Sequence, residues 1–555
     1  MASGGSSVSQ WRVLTYLRDY IARTSPIVAS FQRDLPHLVE KVVDTVHTND
    51  KTTSLTEAQK VEDPGKTPSS VKADAGGSSE ASYDLQKALR SVNAYIPLYF
   101  SQVRQSLYKR ELPEAVEKNI PKWKTRKAMV CSKASIDART RFLIKGLGGH
   151  LTESGQVRRL QELCTHLKQY PQAKGVAVKR GGIGRLLKMS ELTNNMTVEG
   201  EVREALALLG YTAPTKAHGI RLLTIDGGGV RGLVALEVLR KIEEEAGRPV
   251  NELFDMICGV STGAILAVML GIHRIPLDEC ETLYKELSTK IFTQTTLKGA
   301  TSLFMKNSYY DSDSWTEILK ENMGEKCLIE TARDDVAKVC LVATSANTNR
   351  VQAYLFRNYN LPYRVTSHYR GSSLPQLWEA VRASAAAPGY FSEFRIGDLI
   401  FLDGGLFVNN PSAIALHEAK QVWGDAALQC VVSVGTGRHE PIDTTNTNAE
   451  SSISWATRIR TILNSATDTE GVHTTLHDLL PGHLYYRFNP YLSDDIGLDE
   501  ISSDRLSLMM EDTKLYLRKN ETKIQEAARS LSKTKTSLDR IKDWCLYQRQ
   551  VWPAY

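Results

Sequence analysis

The run Met256-Ile257-Cys258-Gly259-Val260-Ser261-Thr262-Gly263 sets a serine inside a G-x-S-x-G pattern, behind a strand-like stretch and ahead of an apolar helical run from Ala264. A strand that turns sharply into a helix at such a serine is a nucleophile elbow. Gly259 and Gly263 suit that turn, because a nearby Cβ would clash while the backbone is strained, and the Ser261 hydroxyl then projects into a cleft. The helix N-terminus behind it adds a positive dipole that favours developing negative charge. The pattern alone arises often by chance, so its weight comes from the strand before it and the helix after it.

A second signal is Leu222-Leu223-Thr224-Ile225 followed by Asp226-Gly227-Gly228-Gly229-Val230-Arg231-Gly232. Consecutive glycines after a strand expose adjacent backbone N–H groups, and such groups can stabilise the oxyanion of an ester's tetrahedral intermediate. Gly227, Gly229 and Gly232 also satisfy G-x-G-x-x-G, which raises dinucleotide binding. That reading expects an acidic residue closing the next strand. Here the next strand closes on Gly259-Val260-Ser261 instead. A Walker loop is excluded as well, since no Lys-Ser/Thr follows the glycines.

A third signal is Leu399-Ile400-Phe401-Leu402 leading to Asp403-Gly404-Gly405 and on to Asn409-Asn410-Pro411. A carboxylate at a strand end can be presented into the cleft that Ser261 faces. Serine at its free pKa is a poor nucleophile and needs a base, and the usual base is histidine. His417 and His439 follow in the chain order of α/β-hydrolases, but neither has a flanking motif that marks it, and each also reads as an ordinary surface or packing histidine.

These residues need a scaffold. From Ile220 onward, short β-rich runs (Ile220 to Ile225, Met256 to Val260, Val339 to Thr344, Leu399 to Leu402, Cys430 to Val434) alternate with helical patterns, as in a mostly parallel α/β sheet. Ahead of them, residues 84–215 keep helical spacing, with breaks at Gly146-Leu147-Gly148-Gly149 and Lys179-Arg180-Gly181-Gly182. Gly182 to Gly210 resembles part of an armadillo-type repeat. Residues 48–83 read as a linker of Asp, Lys, Thr, Ser, Pro and Gly, and residues 1–47 as an amphipathic, arginine-bearing helical segment with a weak mitochondrial-presequence pattern. Residues 491–555 read as a helical extension. In it Met510, Leu517, Ile524, Leu531, Leu538 and Cys545 recur every seventh position as one apolar stripe flanked by Lys514, Lys519 and Lys523, fit to dock on the fold or on a membrane surface.

At 555 residues the chain exceeds a single core, and 42% hydrophobic with 24% charged residues is ordinary globular composition. A net charge of +6 over that length is mild and gives no nucleic-acid footprint. The eight cysteines form no C-x-x-C pair, as expected of free thiols in a reducing compartment. The longest wholly apolar runs, such as Ala264 to Leu270, fall well short of the ~20 residues that cross a bilayer.

The ordered trio of DGGGVRG, GVSTG and DGG with a following NNP resembles the patatin-like phospholipase family over 216–490. Phe254 to Gly263, Phe356-Arg357-Asn358-Tyr359 and Asn464 to Glu470 bring it close to that family's calcium-independent phospholipase A2 gamma branch. The resemblance implies a three-layer α/β fold with a mostly parallel central sheet, preceded by the helical region. It implies a Ser–Asp dyad without histidine, with Ser261 as nucleophile, Asp403 as base and the N–H groups of Gly228 and Gly229 as oxyanion hole. Asp226, Gly227, Arg231, Gly232, Gly259, Gly263, Gly404 and Gly405 support these motifs, Arg231 by orienting a phosphate or bracing the loop. The implied activity is hydrolysis of fatty-acyl esters of glycerophospholipids and lysophospholipids at a membrane surface. Acyl transfer to a lipid alcohol uses the same residues, and a silent scaffold is the third reading. No metal or cofactor is expected: Asp311-x-Asp313 continues to Trp315, lacks the turn glycine and fails the calcium-loop pattern. The helical N-terminal region is the candidate surface for a protein partner. Relatives of the branch associate with mitochondrial and peroxisomal membranes, and since Trp552-Pro553-Ala554-Tyr555 is no peroxisomal tripeptide, an intracellular, peripheral mitochondrial location is expected.

Overall fold

The strand-like runs come together as one sheet in a computed structural model of the chain, which describes residues 131–148, 152–293, 310–348, 350–439 and 469–551. The readings of 1–47, 48–83, 84–130 and Trp552 to Tyr555 lie outside these residues. Five strands fall on the five runs already named: β1 (Ile220–Ile225), β2 (Met256–Val260), β3 (Lys338–Ser345), β7 (Leu399–Asp403) and β8 (Leu428–Val434). The sheet is completed by β4 (Gln352–Arg357), β5 (Arg370–Ser372), β6 (Phe394–Ile396) and β9 (Tyr485–Phe488). Their order is β5–β4–β3–β2–β1–β8–β9, with β7 on β3 and β6 on β7. The central strands β3, β2, β1, β8 and β9 are all parallel, whereas β4 and β7 run antiparallel to β3.

Alternate residues of the central strands are buried on opposite faces. Leu223, Ile225, Ile257, Val339 and Leu341 enter one apolar cluster, and Leu222, Met256, Cys258, Val260 and Cys340 enter another. A sheet buried on both sides needs helices on both sides, which makes the fold three-layered. The first cluster is covered by α6 (Gly232–Ala246), α7 (Thr262–Ala267), α8 (Leu277–Phe292), α9 (Ser312–Met323) and α10 (Leu377–Ser384), and the second by α11 (Ser412–Trp423) and α12 (Thr469–Leu479). The preceding helices are α1 (Lys133–Lys145), α2 (Glu153–Gln169), α3 (Lys174–Lys179), α4 (Gly182–Leu192) and α5 (Met196–Leu208), broken at the glycine pairs read in the sequence. They surround a core of their own, built on Leu143, Leu160, Leu163, Leu186 and Val202. Asp311 is the N-cap of α9, its side chain accepting the Asp313 N–H at 3.1 Å, which accounts for the D-x-D pair without an ion.

The C-terminal stripe behaves differently from its heptad spacing. It is cut into α13 (Ser503–Lys519), α14 (Glu521–Leu531) and α15 (Ser537–Val551), because the backbone leaves helical geometry at Asn520 and again after Ser532. Leu517, Ile524 and Leu531 are buried in the first of the two sheet cores, and Lys523 donates inward to the Arg487 carbonyl. Only Leu538 and Cys545 of the stripe are exposed, on α15. That helix is tied to the segment just before β1 through Asp539 and His218, 2.9 Å apart, while the end of α14 holds Gln429 near the start of β8. Both anchors lie at the N-terminal ends of the strands, opposite the edge from which Asp226 and Ser261 emerge. The stripe is therefore core packing for most of its length and no continuous docking face. Among the described residues, no helix is long and apolar enough to cross a membrane.

Candidate active site

Ser261 leaves β2 with φ 54° and ψ −116°, in the positive-φ region that a non-glycine residue seldom occupies. Close packing holds it there. A Cβ on Gly259 would lie 2.0 Å from the Gly263 carbonyl oxygen, and one on Gly263 would lie 2.2 Å from that of Ile225. The Ser261 N–H donates to Ser384 Oγ at 2.9 Å, and the Ser384 hydroxyl in turn donates to the Val342 carbonyl at 2.6 Å, which ties the strained turn to α10 and β3. Ser384 sits in Arg382-Ala383-Ser384-Ala385-Ala386, a stretch with no motif to mark it in the sequence.

The carboxylate is delivered by register on β3. Val260, the last residue of β2, pairs with Val342; where β2 ends, β7 takes its place beside β3 and pairs Asp403 with the next residue, Ala343. Consequently the Ser261 hydroxyl donates to Asp403 Oδ2 at 2.6 Å. The other oxygen, Oδ1, accepts the Gly405 N–H at 2.7 Å, and Thr344 Oγ1 donates to the Asp403 carbonyl at 2.8 Å. A Cβ on Gly404 would meet the Val342 carbonyl at 2.2 Å, so this turn also needs a residue without one. Asp403 is only 6% exposed, and burial pushes its carboxyl up to about 6, against the opposing pull of the hydrogen bonds from Ser261 and Gly405.

The glycine loop after β1 lies against the elbow. A Cβ on Gly227 would come within 3.2 Å of Ser261 Cβ and 2.5 Å of Asn409 Oδ1, the atom that accepts the Gly227 N–H at 3.0 Å. Thr436 Oγ1 donates to the Gly227 carbonyl at 2.8 Å, and Gly228 packs directly on that threonine. Gly229 has φ 56°, and its carbonyl accepts the Tyr284 hydroxyl at 2.6 Å. Tyr284 also touches Thr262 and crowds Gly232, where a Cβ would be 2.9 Å from the phenol oxygen. Arg231 Nε donates to the Gly228 carbonyl at 3.3 Å, bracing the loop. The N–H groups of Gly228 and Gly229 have no hydrogen-bond acceptor among the described residues.

Neither histidine joins the pair. His417 lies on α11, where its ring meets Ser367 Oγ at 3.2 Å and packs beside His368 and Tyr369. His439 follows β8, and among the described residues no histidine is hydrogen-bonded to Ser261 or Asp403.

Behind the loop lies a charged cluster in which sequence reading named Asp226 but not its partner Arg487. Asp226, 2% exposed, accepts Arg487 Nη2 at 2.6 Å, and the same nitrogen reaches Glu470 Oε1 at 3.3 Å. Arg487 Nη1 donates to Ser433 Oγ at 3.0 Å. Burial raises the Asp226 carboxyl to about 6 against the pull of Arg487. A buried charge keeps its place only when paired and hydrogen-bonded, so Arg487 fixes the residue that begins the glycine loop. The one available sequence hint was a charged residue inside the otherwise apolar and aromatic run Tyr485 to Phe488.

Residues 223–416 match the family model described as patatin-like phospholipase. Calcium-independent phospholipase A2-gamma of Rattus norvegicus is 45% identical over 417 residues, covering 75% of this chain and 53% of the rat protein. Phospholipase A I of Arabidopsis thaliana is 27% identical, covering 65% of this chain and 33% of the plant protein. A cGAMP-activated phospholipase of Pseudomonas aeruginosa is 33% identical over 220 residues, covering 39% of this chain and 62% of the bacterial protein. The chain spans about half the length of the first of these relatives.

Proposed function

For a chain that belongs, through its residues 223–416, to the patatin-like phospholipases, we propose the activity of a calcium-independent, phospholipase A2-type lipid acyl hydrolase working through a Ser261–Asp403 dyad. The observation that carries this reading is the 2.6 Å hydrogen bond from Ser261 Oγ to Asp403 Oδ2 at a strained strand-to-helix turn. Asp403 takes the hydroxyl proton as Ser261 Oγ bonds to the fatty-acyl carbonyl carbon. The carbonyl oxygen becomes an oxyanion, stabilised by the N–H groups of Gly228 and Gly229 and by the N-terminal dipole of α7. When the C–O bond to glycerol breaks, the departing lysolipid oxygen takes the proton from Asp403. Water then attacks the acyl-enzyme, gives its proton to Asp403, and releases the fatty acid as that proton returns to Ser261.

A carboxylate with its pKa lifted to about 6 is a better base than an ordinary aspartate and is still ionised at neutral pH. The raised pKa thus favours proton transfer in both directions.

Access to a lipid surface falls, in this reading, to the rim of the cleft. Phe407, four residues after Asp403, is 48% exposed, and Tyr491 is 50% exposed. Aromatic side chains of this kind seat at the boundary between water and acyl chains. The test is to incubate the purified chain with a mixed-acyl phosphatidylcholine in the presence of a chelator and to identify the released fatty acid. Release that depends on Ser261 supports the proposal, and no release by a folded protein that a serine-directed phosphonate still labels sinks it.

A further inference from the structure

Arg438 stands two residues beyond Thr436, the side chain that clamps Gly227 and packs on Gly228. Its backbone is bridged to Tyr491, three residues past β9, with the Arg438 N–H donating to the Pro490 carbonyl at 2.8 Å and the Leu492 N–H donating to the Arg438 carbonyl at 2.9 Å. Its guanidinium lies over the Tyr491 ring, 4.0 Å from the centroid, in cation–π contact. The side chain is therefore fixed in orientation while 38% of it stays exposed.

Among the described residues, the hydrogen bonds of this arginine are largely unspent. Of the five N–H donors of a guanidinium, only one on Nη1 is engaged among the described residues, donating to Glu470 Oε2 at 3.0 Å. Nε is shielded from solvent and has no acceptor. The other oxygen of Glu470 is turned to Asn489 Nδ2 at 2.9 Å and Arg487 Nη2 at 3.3 Å. Arginine–carboxylate pairs are frequently bidentate; Arg438 holds its carboxylate by a single nitrogen.

Among the described residues the local charge is also unbalanced. Arg487, Lys523 and Arg438 contribute three positive charges against the carboxylates of Asp226 and Glu470, and Lys523 donates to a backbone carbonyl rather than to an acid. Arg487 is buried and Lys523 is turned inward, so the excess reaches solvent through Arg438.

We infer that Arg438 binds the phosphodiester of the glycerophospholipid whose acyl carbonyl is attacked by Ser261. The inference rests on the proposed hydrolase reading and adds the residue that recognises the head-group side of the substrate. In such a lipid the acyl ester and the phosphate are joined only through glycerol carbons, so a phosphate site belongs one loop away from the nucleophile. Arg438 occupies that place: Gly227 packs on Ser261, Thr436 packs on the glycines, and Arg438 follows Thr436 out to solvent. A planar guanidinium with free neighbouring N–H groups matches two phosphate oxygens at once, which an ammonium cannot do.

The experiment compares the parent with Arg438→Gln and Arg438→Lys on two substrates: dihexanoylphosphatidylcholine below its micelle concentration, and p-nitrophenyl butyrate, which lacks a phosphate. Monomeric substrate removes any contribution from docking on a bilayer. The ratio of kcat/KM for the phospholipid to that for the butyrate ester should fall about tenfold or more in Arg438→Gln, through KM rather than kcat, with partial recovery in Arg438→Lys. Equal losses on both substrates would make Arg438 a structural brace and overturn the inference, as would an unchanged ratio. Inorganic phosphate serves as the competing probe. If Arg438→Gln relieves phosphate inhibition of butyrate hydrolysis but leaves the phospholipid KM unchanged, the site takes free anions and the inference also falls. A parent enzyme that cleaves the butyrate ester and no phospholipid would defeat the proposed function itself, an outcome visible before any variant is made.

Discussion

Asp403 accepts the Ser261 hydroxyl across 2.6 Å although 142 residues separate them, because both are placed by adjacent positions of β3. Ser261→Ala and Asp403→Asn should each reduce turnover by several orders of magnitude, and the double variant should lose little more than either single one, since the two act as a unit. His417→Gln and His439→Gln should retain activity within a few-fold. Steady-state kinetics on a soluble ester, with circular dichroism to verify folding, tests this; loss of activity in a folded histidine variant would point to a conventional triad.

The Asp403 carboxyl, lifted to about 6 by burial, carries a pH signature. As base it must be ionised, so kcat/KM should rise with pH through about 6 and level off above it. For stability the sign is opposite. A carboxyl whose folded pKa is raised favours the folded state fully below its unfolded value near 3.8, and that contribution is lost as pH rises through about 6. Asp403→Asn removes the buried charge and should raise Tm at pH 7 to 8, by an amount corresponding to at most about 3 kcal/mol. Below about pH 4 the difference from the parent should vanish. Thermal melts of both proteins at several pH values decide the matter, and a destabilised Asp403→Asn at neutral pH would contradict it.

Ser384 holds the strained turn by accepting the Ser261 N–H. Ser384→Ala leaves that N–H without its acceptor and should cost about 1–3 kcal/mol of stability. It should also lower kcat more than it changes KM, because the nucleophile is less well held while the substrate surface is untouched. Denaturant melts and full kinetics on one soluble ester provide both readouts.

Phe407, exposed four residues after Asp403, is the residue on which bilayer access should depend. Phe407→Asp is expected to weaken binding to phosphatidylcholine vesicles in a flotation assay and to slow vesicle hydrolysis by about tenfold. Lys514→Glu and Lys519→Glu on α13 should leave vesicle binding unchanged at this rim. The reverse pattern would return the docking role to the C-terminal helices.

Saturating chelator should leave turnover intact, because the proposed steps neutralise the oxyanion with backbone N–H groups. Full inhibition by a chelator, restored by a divalent ion, would require a site for charge neutralisation outside this scheme.

The sequence by itself determined the parts of this protein whose physics is local. The strand runs at β1, β2, β3, β7 and β8, the glycines around Ser261 and after Asp226, and the helix breaks near Gly146 and Gly181 are each set by neighbouring residues and were legible from spacing and residue type. Strands such as β5 and β6 are too short for a period to show. Only the tertiary structure decided what depends on residues far apart in the chain. Heptad spacing from Met510 to Cys545 could not reveal that Leu517 and Ile524 face the catalytic core while Leu538 faces solvent, since the chain leaves helical geometry twice between them. Arg487 lies 261 residues from Asp226, and Ser384 lies 123 residues from Ser261. A hydrogen bond acts over about 3 Å, whereas a motif is confined to neighbouring sequence positions. Ser261 and Asp403 announced themselves by their motifs, and the residues that hold them had to be seen in place.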